Sequence, residues 1–255
     1  MDQSPPENTV IRFANPPVSE VIISLEFEPI VLPLVGYSAM VDHFRQVYPT
    51  QREGPGPRGV QLLSEDESQM LQLDPERITA NWRRRDRPYP GNSYLHQRFE
   101  ADLKAFSNYL EQLQLSPLNP RTLLLAYANQ VSIPEAQPYA DLLQNIFPDI
   151  GWRREPNRKL PVPSGVNWQT IFHPDPSCVL NVYLQAPALA LEGRLRGTPV
   201  IRFDFVAQAE ATGETSHDEI LGWFCRAHEW ILTTFQELTS EDFRIEHWSQ
   251  LNEGA

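Results

Sequence analysis

The sequence predicts an α+β protein made of two pseudo-repeats. Each reads strand, short helix, antiparallel strand meander and long helix, with the long helices on one face of the sheet. Three observations carry this expectation. Arg121–Pro134, RTLLLAYANQVSIP, places Leu123, Leu125, Tyr127, Val131 and Ile133 at alternate positions, the pattern of a long half-buried strand. Two stretches, one near the end of each half, carry apolar stripes at helical spacing. The order of elements that leads up to Arg121 begins again there.

Residues 1–9 read as a flexible tail. In the first half, residues 10–120, Pro16 and Pro17 hold the chain extended, and Val21, Ile23, Leu25 and Phe27 alternate with Ile22, Ser24, Glu26 and Glu28 in a first strand. Tyr37–Tyr48 has helical spacing and is ended by Pro49. TQREGPGPRG, residues 50–59, reads as a loop. Short strands follow at Val60–Leu63, Met70–Leu73 and Ile78–Arg83. Ser93 is placed to cap a helix to about Leu115, with Leu95, Phe99, Leu103, Phe106, Leu110 and Leu113 on its stripe.

The second half, residues 121–255, repeats the order. A short helix at Tyr139–Phe147 and a basic, Pro-rich loop, WRREPNRKLPVPSG, precede strands at Val166–Phe172, Cys178–Leu184, roughly Leu189–Leu195, and Val200–Ala207. Ser216 and Glu219 form a capping box that opens a helix to Leu238. Asp242–Trp248 then pairs or packs back. Two such units give antiparallel sheets with helices on one side. This is the element order of the duplicated saddle in TATA-box-binding-protein-like folds, by analogy alone. Two separate α+β sandwiches are the alternative.

Composition narrows the function. A chain of 255 residues is long enough for one large domain or two closely packed ones, and its apolar segments run nearly end to end. The net charge of −12 argues against broad non-specific nucleic-acid binding. Lys104 and Lys159 are the only lysines among 21 basic residues. Arginine suits planar pairing with carboxylate or phosphate, although the base composition of a genome gives the same bias. Cys178 and Cys225 lie far apart without metal-ligand spacing, which fits a reducing compartment. MDQSPPENTV has no signal-peptide pattern, and no apolar run approaches the roughly 20 residues of a membrane span. The expectation is a cytoplasmic protein with no membrane partner.

Asn15–Phe27, NPPVSEVIISLEF, together with ITANW at Ile78–Trp82, the tyrosines Tyr89 and Tyr94, FEADLKAF at Phe99–Phe106 and LAYAN at Leu125–Asn129, resembles a sporadically distributed bacterial protein family of unknown function. Its members open with a phenylalanine and an N-P-P-(V/I)-x-E motif that leads into a strand. The matches cover residues 10–133. The resemblance implies a bacterial or archaeal, non-secreted protein, and its sporadic distribution suggests a defence-associated setting. It brings no catalytic residues.

Six residues stand out as binding candidates: Arg83, Arg85, Glu20, Asn129, Arg202 and Asp204. Arg83–Arg87, RRRDR, is the densest cation run, and alternation sets Arg83 and Arg85 on one face with Thr79 and Asn81, opposite Trp82. Such a tract grips an anion or a partner, or else pairs with the chain's own carboxylates. Glu20 at the first strand is a candidate ion-pair partner for it. Arg153, Arg154, Arg158 and Lys159 hold the matching place in the second half. Asn129 falls on an apolar face, where its amide must find partners. Arg202 and Asp204 share the polar face of one strand, as Asn181, Tyr183 and Gln185 do of another.

Catalytic signatures are thin. His228-Glu229 is not followed by a second histidine, because Leu232 stands four positions beyond His228. A site would need a spatial constellation such as His173, Asp204 and Cys178. No metal or cofactor is expected. The leading expectation is a non-enzymatic interaction or regulatory subunit that binds another protein through an exposed sheet face or its loops. The alternatives are a binder of a small anion or nucleotide through the arginine loops, and a hydrolase-like enzyme with a site between the halves. A homo-oligomer is compatible with each.

Overall fold

A computed structural model describes residues 12–31, 34–54, 59–135, 138–150, 159–161, 163–189 and 197–251. Its centre is a nine-stranded antiparallel sheet. The strands of the first half are β2 (Val18–Phe27), β3 (Thr50–Glu53), β4 (Val60–Leu63), β5 (Gln69–Asp74) and β6 (Arg77–Arg83). Those of the second are β7 (Pro120–Ser132), β8 (Val166–Asp175), β9 (Cys178–Leu189) and β10 (Pro199–Glu210). The spatial order is β3-β4-β5-β6-β2-β7-β10-β9-β8. The first strands of the two halves, β2 and β7, lie side by side at the centre, with Ile22 opposite Ala126. Each meander fans outward from that seam, so the two halves form one open sheet. The duplicated element order therefore corresponds to one saddle-like sheet.

A separate two-stranded pair joins β1 (Arg12–Phe13) to β11 (Gln250–Leu251). The helices are α1 (Leu34–Phe44), α2 (Asn92–Gln112), α3 (Tyr139–Ile146), α4 (His217–Leu238) and α5 (Glu241–Trp248). The two long ones, α2 and α4, pack against each other and the sheet, with Phe99 and Phe224 edge to face at 5.3 Å. Beneath them Leu123, Leu125 and Tyr127 are buried, as the alternation of β7 requires, while Val131 and Ile133 are partly covered. Phe203 stacks on Phe235 and Trp248 in the same core, and Phe205 meets Phe235 edge to face.

Some local expectations are corrected. Residues 50–59 are not wholly loop: Thr50–Glu53 pairs with β4 as an edge strand. All four side chains are exposed, so the strand leaves no apolar alternation to read. Ser93 does not cap α2. The chain enters at Gly91, whose φ of 92° is one that a residue without Cβ adopts freely, and no side-chain cap bond forms. No turn separates Leu184 from Leu189, because β9 runs through both; residues 190–195 lie outside the described residues. The Ser216–Glu219 capping box at α4 forms in both directions.

Candidate functional site on the open sheet face

The alternation that sends Val21, Ile23 and Leu25 beneath the helices sends Glu20, Ile22, Ser24 and Glu26 to the other face. Among the described residues no helix contributes to that face. Its central apolar residues Ile22, Leu124, Ala126 and Val206 are partly exposed and stand outside the core. Short polar bridges link neighbouring strands across it, Ser24 Oγ to Thr79 Oγ1 at 2.7 Å and Gln61 Nε2 to Gln72 Oε1 at 3.3 Å.

Strand register brings four of the six candidate residues together. Glu20 lies opposite Arg83 on one side and Ala128 on the other, and Ala128 lies opposite Asp204. Arg83 Nε donates to Glu20 Oε1 at 2.9 Å, and Asn81 donates to the same oxygen. Arg202, two residues along β10, donates from Nε to Asp204 Oδ2 at 2.9 Å. Burial is the largest influence on the Asp204 carboxyl and raises its pKa, and the Glu20 charge adds to the rise against the opposing Arg202. Asp204 in turn holds the Arg202 guanidinium in its charged form. The quartet is thus two coupled ion pairs with no net charge. Beyond it, Tyr183, Gln185, Gln169 and Asn167 extend an exposed, uncharged polar surface to the sheet's end.

Asn129 is not part of this site, and Arg85 lies beyond the strand that carries Arg83. β6 ends at Arg83, so the alternation does not reach Arg85. The Arg84 amide donates to Ser19 O at 2.8 Å and its guanidinium to Pro16 O, which turns the chain toward the entry of β2. Asn129 faces the helix side, fully buried, and its Nδ2 donates to Phe203 O at 3.1 Å across to β10. It ties two central strands together. Of the second basic loop, Arg153, Arg154 and Arg158 lie outside the described residues. Cys178 is buried on the helix side and Asp204 lies on the open face, so His173, Asp204 and Cys178 do not converge.

Sequence reasoning missed three features. Tyr48, Arg98 and Asp102 form a buried cluster, with Tyr48 OH donating to Asp102 Oδ2 at 2.6 Å. Arg98 and Asp102 stand four apart on α2, an ordinary helical ion-pair spacing, but Tyr48 comes from just beyond α1, 54 residues from Asp102, and no local spacing announces its arrival. Tyr127 OH donates to Asn92 Oδ1 at 3.0 Å and shares a contact with Tyr89 OH at 3.2 Å, while the His228 ring lies 5.6 Å from that of Tyr127. Burial lowers the His228 pKa to about 4, with the charge of His96 adding. Finally, a cleft of about 360 Å³ opens between the end of α2 and the start of α4, floored by Leu25, Leu103 and Ile220. Among the described residues its ionisable lining groups are Glu111 and His217, with no arginine.

No family model matches the chain, and no curated protein does.

Proposed function

We propose that this protein is a non-enzymatic interaction subunit that binds another protein across the open face of its sheet. The observation that supports it is the face, to which no helix among the described residues contributes, on which Glu20, Arg83, Arg202 and Asp204 neutralise one another beside exposed Tyr183, Gln185 and Gln169. A surface that holds paired charges, amides and a tyrosine suits a polar protein partner, because it offers hydrogen bonds and a rigid aromatic anchor without excess charge. An anion or nucleotide calls for surplus cation, and here each arginine of the quartet already has its carboxylate. The resemblance around Asn15–Phe27 favours a bacterial, cytoplasmic setting, with a defence-associated system as its context.

The test is affinity purification of the tagged chain from its native host, in parallel with Tyr183→Asp. The expected result is one protein at near-stoichiometric yield, retained after nuclease treatment and lost with the variant. An interface anchor costs about 2 kcal/mol or more when removed, a loss of about thirtyfold in affinity. Stoichiometric RNA or metabolite in place of protein, or equal capture by both chains, would overturn the reading.

A further inference from the structure

The two edges of the sheet are built differently. At one end β3 has four residues, all exposed, and carries Arg52 and Glu53, with Arg52 paired to Glu67. Short, charged edges resist pairing with another strand. At the other end β8 is ten residues long and has one pairing neighbour, β9, among the described residues. From Val166 to Pro174 it holds no Asp, Glu, Lys or Arg, in a chain of net charge −12. Ile171 is 52% exposed and Phe172 38% exposed. None of the protections seen at β3 is present along Val166–Phe172.

We infer that β8 pairs antiparallel with β8 of a second copy of this chain. Two observations select a second copy over a foreign strand. The first is charge: two chains of like net charge repel, and β8 is a neutral strip where the copies approach without bringing like charges together. The second is self-complementarity. With a two-fold axis at Thr170, Thr170 meets Thr170, Trp168 meets Phe172 of the second copy and Phe172 meets its Trp168. On the opposite face Gln169 meets Ile171, and Asn167 meets His173. Aromatic and threonine cross-strand pairs are among the favourable ones, and this register supplies them symmetrically. The axis stands perpendicular to the sheet, so the two open faces continue on one side as a single surface. The inference is independent of the binding partner proposed above. An edge contact buries less area than an obligate dimer interface, so association is reversible and depends on concentration.

The register sets the test. In a Cys225→Ser background, which removes the exposed native thiol, Thr170→Cys places two thiols opposite each other at disulfide distance. Asn167→Cys places them about 20 Å apart along the strands. The expected result is a light-scattering mass approaching twice 29.3 kDa as concentration rises. Oxidation should give disulfide-linked dimer with Thr170→Cys and little with Asn167→Cys. Phe172→Asp should weaken dimerisation about tenfold or more, with an unchanged circular dichroism spectrum. A monomeric wild-type mass at all concentrations, or equal cross-linking at the two positions, would overturn the inference; a monomer would direct the edge to a foreign strand.

Discussion

His228 shows how one side chain couples packing to pH. Its ring sits beside Tyr127 under α4, and its Nδ1 is buried with no hydrogen-bond partner among the described residues. Burial holds its pKa near 4, below the ordinary 6.5. A histidine with a depressed folded pKa binds fewer protons folded than unfolded between those values. Its contribution to stability is therefore intact at neutral pH and declines as pH falls from 6.5 toward 4. Between pH 7 and pH 5 the loss is about 2 kcal/mol. Urea unfolding at both pH values should show that difference shrinking in His228→Gln; an equal difference in both proteins would count against a buried neutral imidazole. Asn129 shows the complementary case, a polar group whose amide reaches the Phe203 carbonyl and whose side chain thus serves the core.

The elements divide by how much of their logic is local. β7 has both faces set by alternation, and Leu125 is almost fully covered at its centre. Leu125→Ala should cost about 2–5 kcal/mol in denaturant unfolding, and less than 1 kcal/mol would mean the site is not the packed centre. β6 ends at the arginine tract. Arg83 is a part-exposed partner of Glu20, so Arg83→Ala should shift stability by no more than about 1 kcal/mol. A larger loss, measured the same way, would mean the quartet holds the central strands together. Strong periodicity made β2, β7, α2 and α4 legible, and the capping box fixed the start of α4. β3 was hidden because its four side chains all face water. The pairing of Glu20 with Arg83 was suggested by charge, but its meeting with Arg202 and Asp204 depends on the register of four strands. No linear spacing encodes that register. In the Tyr48–Arg98–Asp102 cluster the i,i+4 pair on α2 is a local spacing, and only the arrival of Tyr48 is hidden.

At the scale of the whole molecule, the repeat of element order becomes one sheet through the β2–β7 seam. The helices α2 and α4 lie on one side, and no described helix contributes to the other. Among the described residues no helix is long and apolar enough to cross a membrane. The proposed partner surface depends on the asymmetry between a covered and an open face. Thiol labelling tests it most directly, again in a Cys225→Ser background. Gln185 and Gln208 point out from β9 and β10 on the open side, whereas Cys178 is fully buried on the helix side and burial raises its thiol pKa to about 11. Gln185→Cys and Gln208→Cys should react with a maleimide in the native protein at the rate of a free thiol, while Cys178 should react only after unfolding. Protection of both introduced thiols in the monomeric protein, or ready labelling of Cys178 in the native state, would contradict a sheet with one open face.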